Sequence, residues 1–305
     1  MGRVIEVPAE LAASQVRYNG EAGRAFVAAL PGRAAEFLDR WGLRVTGPSM
    51  YGVASLVLPV VRGDGSRAAL KLQLADEESE GEPVALRVWA GEGAVRLLES
   101  DPGTCTMLLE RADETRHLST LGDGREAVRI LAELLARLVA VPAPEGVRRL
   151  GDIAARMVAD APAAAARLVD GADARLLRDC AAAVREVMGE PGDRLLHWDL
   201  HYDNVLAAER EPWLAIDPKP LAGDPGFDLL PALTDLWERG PEPAVVRWRF
   251  DLLTERLGLD RARARARAWT LGRVLQNGLW DVEDGEVALD AGQVSIARTL
   301  LATGA

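Results

Sequence analysis

The stretch HWDLHYDN, residues 197–204, holds two of the chain's three histidines, two aspartates and an asparagine. His197 and His201 stand four apart, the spacing of two zinc ligands on one helix face, but the glutamate of HExxH is missing. No GxSxG nucleophile elbow, no GxxxxGK[ST] loop and no GxGxxG occurs in the chain. Phosphoryl transfer fits the set better. It needs a carboxylate to orient the attacking hydroxyl and take its proton, oxygen ligands for Mg²⁺, and a lysine on the phosphate chain. Asp199 offers the first and Asn204 a ligand from the same loop. Asp217, thirteen residues further on, offers a second ligand at the end of the strand-like PWLAIDP.

The elements that must position these residues change character along the chain. The opening GEAGRAFVAALPGRAAEFLDRWGL reads as a helix. VASLVLPVV (53–61) and RAALKLQL (67–74), either side of GDGS, read as a β-hairpin. An acidic helix start with Pro83 in its first turn follows, then two short strands at 94–100 and 104–110. Beyond residue 120 the pattern turns helical, with apolar residues three and four apart over 124–141 and 173–190 and a helical last sixty residues. The arginines of RARARARA (261–268) split onto two helix faces, so a solvated helix is expected there, not a basic stripe.

Composition bounds the function. With 49% hydrophobic and 27% charged residues the chain is expected to fold, and 305 residues suffice for two cores. A net charge of −11 argues against a nucleic-acid surface and is compatible with a cationic small substrate. No apolar run spans a bilayer, the N-terminus has no leader pattern, and Cys105 and Cys180 lack metal spacing. A cytoplasmic protein with no membrane partner, a monomer or weak dimer, is the expectation.

The order HxDLHxDN and then IDP resembles the catalytic segments of the aminoglycoside phosphotransferases, relatives of the protein kinases. LLHWDLHYDNVLAAEREPWLAIDPKPLAGDPGFDL is most similar to their streptomycin 6-kinase and hydroxyurea-kinase branch, as are ALRVWAGEGAVRLLE and LGRVLQNGLWDVEDG. The resemblance implies an α+β, protein-kinase-like two-lobed fold. Its β-rich N-lobe would be residues 1–110, its hinge or linker 111–120 and its mainly helical C-lobe 121–305. It implies ATP and Mg²⁺ as cofactors and a small, cationic antibiotic as acceptor, streptomycin leading. Hydroxyurea, a peptide antibiotic or a sugar are alternatives, and so is a non-catalytic nucleotide-binding protein.

Carried over by position, Asp199 would be the catalytic carboxylate and Asn204 and Asp217 the Mg²⁺ ligands. His201 would lie near the transferred phosphate, with His197 structural. Lys71 would hold the α- and β-phosphates, paired with Glu82, for which Glu80 and Glu78 are rivals. Ser49, in a glycine-poor phosphate loop (47–57), and Glu110, in the hinge MLLER, would meet the nucleotide. Trp280, Asp281 and Glu283 would face the acceptor. Asp224 and Asp228 read as caps that bind the catalytic loop, with substrate contact the other reading of Asp228. Trp198 departs from the small residue, often glycine, usual at its position.

Overall fold

The computed structural model describes residues 5–77, 79–234 and 240–303. The chain divides into two compact units, Met1–Asp113 with Ala208–Arg210, and Glu114–Ala207 with Glu211–Ala305.

The first unit opens on α1 (Ala9–Arg40), eleven residues earlier than the sequence suggested. Gly20 breaks it, with φ 53° and ψ −122°, a conformation open to glycine and costly to other residues. Strands β1 (Arg44–Val45), β2 (Met50–Tyr51), β3 (Ser55–Val61) and β4 (Arg67–Gln73) follow. Helix α2 (Glu82–Trp89) and strands β5 (Leu97–Asp101) and β6 (Thr106–Glu110) complete the unit. The sheet order is β1-β3-β4-β6-β5, antiparallel, with β2 beside β3.

Alternation along a strand sends neighbouring side chains to opposite faces. Leu56, Leu58, Leu70 and Leu72 therefore join Leu11, Phe26, Leu30 and Phe37 of α1 in one core. Lys71 and Gln73 point the other way, and both reach Glu82 at the start of α2. The same period-2 pattern builds the core and aims the lysine.

The second unit begins within β7 (Asp113–His117), so residues 111–120 carry a strand and a 3₁₀ turn. Helices α3 (Gly124–Leu138), α4 (Leu150–Ala165) and α5 (Gly171–Val187) lead to four short strands, β8 (Arg194–Leu196), β9 (Val205–Ala207), β10 (Trp213–Ala215) and β11 (Leu221–Gly223). The chain then runs through α6 (Leu230–Thr234), α7 (Pro243–Arg256), α8 (Arg263–Glu283) and α9 (Ala291–Ala302). β9 pairs with both β10 and β7, and β8 with β11. These pairings set the loop 197–204 beside the loop 216–220. The arginine run starts α8, where Arg263 and Arg265 pair with Asp251, Asp260, Glu190 and Asp224. Among the described residues no helix is long and apolar enough to cross a membrane, and both cysteines are free and buried.

Candidate active site

In the first unit Lys71 Nζ donates to both oxygens of Glu82, at 2.8 and 2.7 Å, and Gln73 Nε2 donates to Oε2 at 3.0 Å. Lys71 and Glu82 are both buried. Glu82 stands in the first turn of α2, where the exposed N–H groups of the helix end favour a carboxylate. Glu80 is exposed on the preceding 3₁₀ turn, and Glu78 lies outside the described residues. Ser49 is half-buried just before β2. The loop after β2 has a support that the sequence did not announce: the Val53 carbonyl accepts from Ser14 Oγ at 2.9 Å and from buried Gln15 Nε2 at 3.3 Å. Glu110 ends β6, in the segment whose main chain is expected to receive the nucleotide. Its carboxylate receives Arg210 through Nε and Nη2 (2.9 and 3.0 Å) and the Arg96 N–H (3.0 Å). Its main-chain N–H donates to the Arg96 carbonyl at 2.8 Å.

In the second unit the loop 197–204 is stitched from both sides. His197 donates its main-chain N–H to Asp228 Oδ2 at 2.8 Å, and Trp198 donates its own to Oδ1 at 2.5 Å. Asp228 is wholly buried, and both its oxygens accept main-chain N–H groups of the loop. Its 3₁₀ turn, Pro225–Asp228, is capped by Asp224, whose Oδ1 accepts the Gly226 N–H at 2.8 Å. Gly226 is needed there, because a Cβ would fall 2.6 Å from Ala266 Cα on α8.

The neighbouring loop joins through the Lys219 N–H to His197 carbonyl bond (3.0 Å) and the Ile216 N–H to Asn204 carbonyl bond (2.9 Å). Asn204 Nδ2 donates to the Asp199 carbonyl at 2.9 Å. That commits the amide nitrogen and leaves the amide oxygen as the hard donor a cation takes. Asp217, with φ 58°, accepts from Lys219 Nζ at 3.1 Å. An amide oxygen and a carboxylate on adjoining loops fit Mg²⁺ chemistry.

Burial pushes the half-buried Asp199 carboxyl up from its ordinary value. His201, Arg273 and Lys219 pull it back down, while Asp217 raises it further. Lys219 and Arg273 were not singled out from the sequence, although Lys219 lies in the same motif phrase. Arg273 comes from a helix far along the chain with no local signal. Trp280 is 39% exposed near the end of α8, with the Arg273 guanidinium 5.1 Å from its ring. Asp281 beside it is half-buried and its carboxyl is raised, first by burial and then by Asp290, Glu286 and Asp284. Glu283 is exposed.

His197 has no proton to trade near neutrality. Its Nε2–H meets the Ile216 carbonyl at 3.0 Å and its Nδ1 accepts the Asp199 N–H at 3.4 Å, so the neutral ring satisfies both nitrogens. Burial lowers its pKa from 6.5 to about 3. Between those values the unfolded chain binds a proton that the folded chain does not. Acidification therefore costs about 1.4 kcal/mol per pH unit from this group. Asp228, raised by burial from 3.8 to about 7, works in the opposite direction: the folded chain holds the extra proton, and stability falls as pH rises through that window. The two slopes oppose each other from about pH 4 to 6.5. Relative to the wild type, we expect His197→Gln to melt higher at pH 5 than at pH 7, by scanning calorimetry. A variant that loses stability relative to the wild type on acidification over that range would contradict this account.

A strand lysine paired with a helix glutamate, and a catalytic-type loop tied to an aspartate loop, define a kinase-like phosphotransferase. The sequence profile of the aminoglycoside/hydroxyurea antibiotic resistance kinases matches residues 40–285. A hydroxyurea phosphotransferase of Kitasatospora aureofaciens is 65% identical, over 99% of this chain and 87% of that protein. A streptomycin 6-kinase of Streptomyces glaucescens is 59% identical, over 98% of each chain. Among solved structures, a choline/ethanolamine kinase family protein from Mesorhizobium loti shares the fold at 16% identity and a TM-score of 0.59, covering 88% of this chain and 94% of that one. The chain belongs to the aminoglycoside/hydroxyurea antibiotic resistance kinase family.

Proposed function

We propose that the protein transfers the γ-phosphate of ATP to a hydroxyl of a small cationic antibiotic of the streptomycin type. Asp199 carries this reading: it is a half-buried carboxylate on a loop fixed by Asp228, with His201, Arg273 and Lys219 around it. The acceptor oxygen attacks the γ-phosphorus, the bond to the bridging oxygen breaks, ADP leaves and Asp199 receives the hydroxyl proton. Lys71 binds the phosphate chain and is held by Glu82. Asn204 and Asp217 would hold Mg²⁺, which supplies positive charge against the phosphate oxygens when bound. Ser49 and the main chain of the segment 107–111 contact the nucleotide, and His201 faces the transferred group.

Streptomycin is supported by the relatives of that name and by the acidic, aromatic end of α8. There Trp280, Asp281 and Glu283 suit guanidinium groups by stacking and ion pairing. A second reading rests on the 65% identical hydroxyurea phosphotransferase: a small neutral acceptor would not need that end of the helix. A coupled ADP-release assay with Mg·ATP and either compound separates them. Streptomycin-dependent release that weakens in Asp281→Asn supports the first reading. Release with hydroxyurea alone, indifferent to Asp281→Asn, replaces it with the second.

A further inference from the structure

Trp198 has a backbone that suits glycine and a side chain at the opposite extreme. Its φ is 66° and it is 2% exposed. A side chain is disfavoured in that region and persists only where its surroundings hold it. Asp228 accepts the main-chain N–H, and this bond a glycine could make equally well. The ring does something further. Its Nε1–H donates to Gln276 Oε1 at 3.1 Å, and the guanidinium groups of Arg148 and Arg273 lie 4.5 and 5.5 Å from it. Arg273 Nη1 donates to the same Gln276 oxygen at 2.6 Å. Arg273 also stands 5.1 Å from the ring of Trp280, whose centroid is 6.2 Å from that of Trp198. Arg273, Gln276 and Trp280 follow one another at i, i+3 and i+7, so one face of α8 presents all three. The stack starts one peptide from the Asp199 carboxylate and ends on a half-open tryptophan.

We propose that Trp198 is a positioning residue that couples the orientation of Asp199 to the Trp280 end of α8. An acceptor resting against Trp280 then meets a carboxylate already turned toward its hydroxyl. The inference rests on the reading of Asp199 as the acceptor-side carboxylate and adds how that group is aimed. The main-chain bonds to Asp228 fix where the loop lies. The ring fixes its rotation against the helix that carries the acceptor contacts.

The experiment compares Trp198→Gly, Trp198→Phe and Gln276→Leu by steady-state kinetics and by hydrogen exchange of the 195–204 amides. Glycine accepts the backbone conformation and deletes the stack. We expect kcat to fall about 100-fold, the loss that follows an ångström of misplacement, with KM for ATP unchanged. Phenylalanine keeps a ring between the two arginines but loses the bond to Gln276, so its kcat should lie between that of the glycine variant and the wild type, close to that of Gln276→Leu. Gln276→Leu leaves the Trp198 ring in place and removes the oxygen that Trp198 and Arg273 share. It should lower kcat several-fold, leave KM for ATP unchanged and speed exchange in the loop. Wild-type kcat and wild-type exchange in Gln276→Leu would overturn the proposal, whether or not the glycine variant folds. If the wild-type protein phosphorylates no acceptor, the reading of the reaction fails. The exchange data then decide the coupling alone: faster loop exchange in Gln276→Leu upholds it and unchanged exchange overturns it.

Discussion

Asp199→Asn should lower kcat by about 10²–10⁴-fold, the range for removing a positioned general base, while ATP still binds with little change in Kd. The substitution preserves shape and deletes only the proton acceptor. The loop should survive it, because its ties run through main-chain atoms and other side chains. Asp228 takes the N–H groups of His197 and Trp198, and Asn204 Nδ2 bonds the carbonyl of residue 199 and leaves its carboxylate alone. Single-turnover phosphate transfer reads the chemical step and calorimetric titration reads nucleotide affinity. A rate that survives the change would remove Asp199 from the reaction. Lost ATP affinity with an intact rate would assign it to the nucleotide instead.

The second large effect falls on the buried pair in the other unit. Glu82→Ala should destabilise the protein by about 3–5 kcal/mol, the usual cost of breaking a buried ion pair from one side. Lys71 is 4% exposed and Glu82 0%, so water can compensate little of the two short bonds lost. Lys71→Met should cost less, because Gln73 Nε2 still donates to Glu82 at 3.0 Å. The double variant Lys71→Met/Glu82→Gln should recover much of the stability, since a buried pair replaced whole by uncharged groups is often near neutral. It should not recover the nucleotide. Chemical denaturation separates the stabilities, and KM for ATP separates the function. A double variant as unstable as Glu82→Ala would mean that the pair is not the source of the cost. One that binds ATP as the wild type does would take Lys71 out of the phosphate site.

Lys71 and Glu82 were reachable from the sequence through the family resemblance, since a strand lysine by itself reads as a solvated edge residue; the alternation of the strand then says which way it points. A strand that alternates Leu70, Lys71, Leu72 and Gln73 must send its leucines to one face and its polar residues to the other. The loop 197–204 was equally legible, since its five polar side chains in eight positions suit a catalytic turn better than a helix or strand.

The sequence could not say what closes on that loop from a distance. Asp228 read ambiguously because a cap and a substrate contact use the same residue type, and its burial under the N–H groups of His197 and Trp198 is visible only in the fold. Gly20 looked like a helix start and is a break within a longer helix; the backbone angle there depends on how the two halves of α1 pack. Glu110 read as part of a hinge, yet Arg210, a hundred residues on, takes its carboxylate. Arg273 and Gln276 sit in an ordinary amphipathic helix, and nothing nearby marks them as partners of Trp198. Period, propensity and motif spacing act over one to four residues along the chain, so the sequence alone determined the elements and the chemistry-bearing groups. Charge, stacking and burial act through space, so only the tertiary structure decided which of those groups touch.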